Sequence, residues 1–365
     1  MPEVLPLRVV FLGVTHPHAR AWAVAVRNHT DCLLVAAYDA DGDARGRFCS
    51  EFGCSEISLA QLTSDDFDAV VVDGRNDESM RLSLAAIRAG LPVFIEKTGG
   101  MGSQELQTVA DEARDRGLTT QLGYFMRYSD AYALLKDELG AGDLGEVSLA
   151  RFHCAIPGSA WRESPDWFGD SSNVVGGFME AGCHMVDLVR DLLGEPLSVS
   201  AEAVCWDRPP NGSEDALSAS LRFGTAVVSL DFTAREANPW NMNWTAELYG
   251  TRQTVRASLN PAQFYSNDGH YRWHRSGASR LDDTEAALST RAQHEYASLM
   301  ERGMDRFIRA VRGIEPSPVD AASGAATLRL IESIYLAAGR PVRSQPITLT
   351  QHPFPSHDKR KNGIK

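Results

Sequence analysis

Leu7–Asp39 reads LRVVFLGVTHPHARAWAVAVRNHTDCLLVAAYD. Leu7–Leu12 is a β-branched, apolar run that stops at Gly13. From His18 to Asn28 the apolar residues recur at helical spacing, and Cys32–Asp39 is a second apolar run. The order is strand, turn, helix, strand. Outward from this unit the same grammar continues. A helix closed by Gly53 precedes the strand DAVVVD (68–73), and a helix ending at Gly90 precedes PVFIEK (92–97). SQELQTVADEARDRG (103–117) and LTTQLGYF (118–125) follow as helix and strand. Apolar strands alternating with amphipathic helices predict a parallel sheet covered on both faces, so residues 1–125 are expected to form a doubly wound α/β domain.

Beyond Phe125 the pattern changes. VSLARFHCAI, LSVSAEAVCW, ALSASLRF, TAVVSLDFTA, WTAELYG and QTVRASL succeed one another, with one strong early helix at Gly176–Leu193. Their period-two alternation predicts an α+β domain over 126–350 with a large open, mainly antiparallel sheet. Asn260–Thr284 reads as a polar loop insertion. Helices at Glu295–Arg312 and Ala321–Gly339 are expected to close this second domain, and the polar tail 351–365 is expected to fray. The alternating apolar residues of TAVVSLDFTA predict an open sheet face that drives self-association into a homodimer or homotetramer.

Composition narrows the function classes. With 36 Lys plus Arg against 48 Asp plus Glu in 365 residues, the formal charge is −12, which offers no footprint for nucleic acid or anionic membrane. No stretch approaches the ~20 apolar residues of a membrane span, so a cytoplasmic protein is expected. The six cysteines form no C-x-x-C pair and are expected to be free thiols.

Gly13-Val14-Thr15-His16-Pro17-His18 stands where a dinucleotide-binding loop would carry G-x-G-x-x-G, with one glycine retained. A hydroxyl and an imidazole still donate hydrogen bonds to phosphate. The His-Pro-His pair lacks a nearby third ligand, so no metal is expected. Asp39 follows Gly13 by 26 residues, near the ~20-residue offset of a carboxylate that receives ribose hydroxyls. After Asp39 come Asp41 and Asp43, with no arginine before Arg45, which favours NAD over NADP; capping of the next helix is the other use open to Asp39. Glu96 and Lys97 end a strand whose carboxyl edge faces the ligand crevice, where an ammonium can do acid-base work. Glu180, His184 and Asp187, spaced four and three apart, are expected to share one helix face.

These segments, with QLGYFMRY (121–128) and above all GGFMEAGCHMVD (176–187), resemble the glucose-fructose oxidoreductase/inositol dehydrogenase/rhizopine-catabolism (Gfo/Idh/MocA) family over Leu7 to about Arg343. The resemblance implies a Rossmann domain joined to an α+β domain, a bound NAD or NADP, and hydride transfer to or from a secondary alcohol of a sugar, cyclitol or sugar derivative. By resemblance Lys97, Glu180 and His184 are the catalytic residues. Gly13, Thr15, His16, Asp39, Asn76, Glu96 and Lys97 are expected at the cofactor, and Tyr124, Arg127, Trp161, Arg162 and Asp187 at the substrate. Thr98, Arg75 and Ser79 depart from the family's usual proline, proline and histidine, and Glu180 is one methylene longer than its usual aspartate. These departures set up the rival expectation of a non-catalytic nucleotide- or sugar-binding regulator.

Overall fold

The structure is a computed structural model that describes residues 5–157, 166–173, 175–205, 212–236, 243–259, 273–277 and 292–340. The predicted insertion Asn260–Thr284 lies outside the described residues except for one short strand, and the tail lies outside them entirely.

Six strands, β1 (Leu7–Leu12), β2 (Cys32–Tyr38), β3 (Ser55–Glu56), β4 (Ala69–Val72), β5 (Val93–Ile95) and β6 (Thr120–Leu122), form one sheet in the order 3-2-1-4-5-6. Every pairing in it is parallel. Residues 9–12 of β1 and all of β4 and β5 are buried, because helices cover both faces, and this is why these strands read as unbroken apolar runs. Those helices are α1 (Ala19–Asn28), α2 (Gly42–Phe52), α3 (Asn76–Arg88) and α4 (Ser103–Asp115). The strand order reverses between β1 and β4, which opens a crevice at their carboxyl ends.

A helix that the strand-rich reading passed over, α5 (Asp130–Ala141), starts at the Ser129 cap and ends at left-handed Gly142. The second sheet has the order β13-β12-β11-β7-β10-β9-β8. Its members are β7 (Val147–Pro157), β8 (Ser198–Val204), β9 (Ala216–Arg222), β10 (Val227–Glu236), β11 (Asn243–Gly250), β12 (Gln253–Ser258) and β13 (Trp273–Gly277). All its pairs are antiparallel except β7 with β10.

The apolar stripe of β10 does not face outward as expected. Val228, Leu230, Phe232 and Ala234 are buried, and Phe232 packs on Phe178 of the helical layer. A strand has only one apolar set at period two, so turning it inward leaves Ser229, Asp231, Thr233 and Arg235 on the open face. There Ser218 Oγ donates to Asp231 at 2.6 Å, and Glu247 stands opposite both Arg151 and Arg256. The apolar face proposed for a homodimer or homotetramer is therefore absent from this strand.

The early helix of this half begins as a π turn, Phe178–Gly182, and continues as α6 (Cys183–Leu193). The last two helices, α7 (Ala292–Val311) and α8 (Ala321–Ala337), return to the first domain instead of only closing the second. Gly303 of α7 sits against the Trp22 ring. Glu332 of α8 receives Ser103 N and Ser103 Oγ at 2.7 and 2.6 Å, capping α4 from 229 residues away.

Candidate active site

Gly13 leaves β1 at φ +84°, and any Cβ there would collide with the Gly74 backbone after β4. The one glycine retained in the loop is therefore the one its geometry requires. Beyond it lies a cleft of about 670 Å³ whose lining includes Thr15, His16, Asp39, Arg75 and Trp167. Asp39 is 3% exposed, and its two oxygens accept Val14 N at 2.7 Å and Asp41 N at 2.8 Å. The capping of α2 falls instead to Asp41, which accepts Asp43 N and Ala44 N. Arginines distant in sequence also reach the cleft: Arg20 is held by Glu51 at 2.6 Å and Arg75 by Asp77 at 2.9 Å. From the second half, Trp167 Nε1 donates to the Thr15 carbonyl at 3.3 Å and closes over the loop.

Deeper in, at the carboxyl ends of β4 and β5, polar groups accumulate. Asp73 has no exposed surface, and His16 Nδ1 lies 3.2 Å from its Oδ1. Burial raises the Asp73 pKa well above the carboxylate range, with the Glu96 charge adding and Lys97 opposing. Burial, then the Lys97 and His18 charges, hold His16 neutral. Glu96 accepts Trp22 Nε1 at 2.6 Å and stands 2.7 Å from His18 Nδ1. One ligand atom each from His16, His18 and Glu96 lies within 4.8 Å of the others.

Lys97 Nζ is 3.4 Å from Glu180 Oε2, and Asn76 Nδ2 donates to Glu180 Oε1. Burial disfavours the Lys97 ammonium, but Glu180 and Glu96 outweigh it and the Lys97 pKa is raised. Burial raises Glu180, against Lys97 and Asn76.

The π turn places Glu180. Phe178 N donates to Glu214 at 2.6 Å and Met179 N to the Tyr335 hydroxyl at 2.9 Å, satisfying the helix start. Gly182 packs under the Phe178 ring with no room for a Cβ. Glu180 and His184 have separate partners, because a wider turn intervenes where an ideal i, i+4 helix was expected. His184 is ringed by Phe125 at 4.3 Å, Trp244 at 5.7 Å and Tyr124 at 5.8 Å between centroids. Burial, then the Lys97 and His18 charges, push its pKa well below the usual value, so the imidazole is neutral.

Two residues expected at the substrate are engaged with each other. Arg127 Nε and Nη2 bind Asp187 at 2.6 and 2.7 Å, and Nη1 binds Asp191 at 2.7 Å. Asp187 has no exposed surface, so this fork fastens the Phe125–Tyr128 turn to α6 and leaves no carboxylate for a substrate hydroxyl. Tyr124 is fully buried beside His184, with a hydroxyl that has no partner. Trp161 and Arg162 lie outside the described residues. At the positions that depart from the family pattern, Arg75 pairs with Asp77, Ser79 is buried, and Thr98 Oγ1 donates to Gly100 O at 2.6 Å. Asp73, Trp22 and Trp167 are site residues that the sequence reading does not single out. For Asp73 a signal existed, an acid at the carboxyl end of an apolar strand; for Trp167 there was none.

The sequence profile described as an oxidoreductase family with an NAD-binding Rossmann fold matches residues 7–124, and that of the GFO/IDH/MocA C-terminal domain matches residues 132–256. The chain belongs to the Gfo/Idh/MocA family. Among its relatives are D-glucoside 3-dehydrogenase of Escherichia coli K12, 24% identical over 91% of this chain and 95% of that one, and levoglucosan dehydrogenase of Pseudarthrobacter phenanthrenivorans, 26% identical over 67% and 70%. Solved structures of similar fold include levoglucosan dehydrogenase with NADH and levoglucosan, at TM-score 0.79 and 18% identity over 92% of this chain and 97% of that one. Myo-inositol 2-dehydrogenase from Lactobacillus plantarum superimposes at TM-score 0.73 and 21% identity, over 92% and 97%. This member of the Gfo/Idh/MocA family is an NAD(P)-dependent oxidoreductase.

The cleft fits a dinucleotide on its own observations. Thr15 Oγ1, His16 Nε2 and both Asp73 oxygens are buried without hydrogen-bond partners, and they stand at the strand-order reversal where such a ligand binds. Among the described residues no helix is long and apolar enough to cross a membrane.

Proposed function

We propose that the protein is an NAD-dependent oxidoreductase acting on a secondary alcohol of a sugar, cyclitol or sugar derivative. The observation that carries this reading is the buried juxtaposition of a raised Lys97, its partner Glu180 and a neutral His184 below the nucleotide cleft. Gly13, Thr15, His16, Asp39, Asn76 and Glu96 would hold the dinucleotide, which when bound would accept or supply the hydride. The cleft lining carries five carboxylates (Asp39, Asp41, Glu51, Glu78, Asp166) against three guanidiniums, and this acidic excess disfavours a 2′-phosphate. The names of the relatives, which include scyllo-inositol and levoglucosan dehydrogenases, support the substrate class.

The two pKa directions divide the work between the catalytic side chains. Lys97, held as an ammonium, donates to the substrate oxygen and stabilises the negative charge that grows as its proton leaves. His184, held neutral, accepts that proton in oxidation and returns it in reduction. Glu180 positions Lys97, and Asn76 positions Glu180. The Tyr124 hydroxyl is a further donor beside His184. A homodimer or homotetramer remains part of the proposal, on an interface other than the inward-turned stripe of β10.

The test is turnover on a panel of cyclitols, glucosides and anhydrosugars with NAD⁺ and NADP⁺ in parallel. Activity with NAD⁺ on at least one polyol is expected, and His184→Asn should lower kcat by ~10²–10⁴-fold with little change in Tm. A variant that melts lower yet turns over normally removes His184 from the mechanism, and a preference for NADP⁺ reverses the cofactor assignment.

A further inference from the structure

We propose that α8 is the spacer of the active site: Glu332 and Tyr335, one turn apart on it, anchor the two segments that deliver Lys97 and Glu180 and so set the separation of that pair. Three residues apart, the two anchors share a helix face and stand roughly 4.5 Å from each other along the axis. Glu332 accepts Ser103 N at 2.7 Å and Ser103 Oγ at 2.6 Å. Ser103 closes the segment that starts at Lys97, and every residue of that segment is buried. Inside it Thr98 Oγ1 donates to Gly100 O and Met101 N to Glu105 Oε2, so a shift at Ser103 passes to Lys97. The Tyr335 hydroxyl accepts Met179 N at 2.9 Å, and Met179 is the residue before Glu180. The same hydroxyl donates at 2.9 Å to Glu214 Oε1, which also accepts Phe178 N at 2.6 Å.

Two features mark these anchors as more than packing. The residue that precedes α4 is Gly102, which has no side chain to cap it, and the acceptor comes instead from a carboxylate with 4% exposure. Elsewhere in this chain local residues do that work, Ser129 for α5 and Asp320 for α8 itself. A local cap avoids the desolvation that a buried carboxylate pays, so capping alone does not account for Glu332. The second feature is the closeness of the fit. A Cβ at Gly176 would stand 2.5 Å from the Tyr335 hydroxyl and 2.6 Å from Glu214 Oε2. Arg340, just beyond α8, holds Glu214 Oε2 at 3.1 Å and covers the Tyr335 ring at 5.3 Å. At its other end α8 is fixed against the first domain at Gly324, where a Cβ would stand 2.7 Å from Leu122 and 3.0 Å from Leu106. Glu332 and Tyr335 are thus positioning residues on either side of the 3.4 Å contact between Lys97 and Glu180. Their effect on turnover rests on the oxidoreductase reading, whereas the spacing itself does not.

The experiment uses the full chain and two readouts. Tyr335→Phe keeps the ring and removes the hydroxyl; Glu332→Leu keeps the bulk and removes both acceptors; Glu332→Gln keeps an acceptor for Ser103 N. Urea melts, which need no substrate, combine each anchor variant with Lys97→Met. The combined effect on the folding equilibrium constant should depart from the product of the single effects by about threefold or more, as for residues coupled through a shared backbone shift. Arg329→Met removes another bond between α8 and α4, the one to Gln107 at 3.1 Å, and its effect should simply multiply with that of Lys97→Met. Where Glu332→Leu does not fold, Ser103→Ala takes its place in the cycle, and Glu214→Gln takes that of Tyr335→Phe. In turnover with NAD⁺, Tyr335→Phe and Glu332→Leu should lower kcat by ~10–10²-fold, with NAD⁺ affinity within about twofold of wild type. Glu332→Gln should keep at least about a third of the wild-type kcat, since it still holds Ser103 N. Effects that multiply for both anchors, kcat within about threefold of wild type in both, or equal losses for Glu332→Leu and Glu332→Gln overturn the proposal. A wild type that turns over no polyol sinks the oxidoreductase reading alone, because the urea cycles still decide the spacer.

Discussion

Replacing Lys97 with methionine keeps the stem and removes the ammonium 3.4 Å from Glu180, a carboxyl with 4% exposure. Removing one partner of a buried ion pair destabilises by ~3–5 kcal/mol when the remaining charge stays ionised, and that is the loss expected at pH 8. At pH 5 the loss should be much smaller. In the wild type, burial already raises the Glu180 pKa while Lys97 and Asn76 oppose it, so losing Lys97 enlarges the upward shift. A carboxyl whose folded pKa is raised binds its proton more tightly in the folded state. Its contribution is intact below the unfolded value of about 4.3 and is lost as pH rises through the folded one, at about 1.4 kcal/mol per pH unit between them. The stability gap between wild type and variant should therefore widen from pH 5 to pH 8. Urea melts at the two pH values measure it, and adding Glu180→Gln to Lys97→Met should recover most of the loss at pH 8. A loss independent of pH, or one that the second substitution does not recover, would refute the claim that Lys97 keeps Glu180 ionised.

Gly182→Ala forces a methyl into the Phe178 ring and should cost ~1–3 kcal/mol in thermal or urea melts, with a parallel loss of turnover because the π turn carries Glu180; an unchanged melt counts against that packing. Arg127→Met strands the fully buried Asp187 and should cost ~3–5 kcal/mol while NAD⁺ affinity stays within about twofold; a large change in substrate KM at unchanged stability would instead make Arg127 a substrate contact. Asp39→Ala leaves Val14 N and Asp41 N without their carboxylate and should weaken NAD⁺ in calorimetry more than NADP⁺, so equal losses for both nucleotides would mean the carboxylate only holds the loop.

Period and punctuation in the sequence determine a great deal here. Apolar runs of four to eight residues between amphipathic helices specify the doubly wound domain, because strands buried on both faces must be apolar throughout. The proposed catalytic residues Lys97, Glu180 and His184 are legible because each stands in a short motif whose position relative to a strand end or helix start is local information. Other features required the tertiary structure. The direction of the apolar stripe of β10 depends on which face the helices occupy, and alternation alone is the same for either choice. Arg127 and Asp187 look like site residues by position, yet across 60 residues they meet in a fork that satisfies both. The protonation states of Lys97 and His184 follow from the charges folding brings beside them: two carboxylates for the first, aromatic rings and cationic neighbours for the second. The meeting of Glu96 with His16 and His18 is likewise set by the pairing of β1, β4 and β5 side by side. Sequence patterns record which face of an element is apolar. Side-chain partners separated by dozens of residues are chosen only when elements pack, since contact energies depend on distance in space and not along the chain.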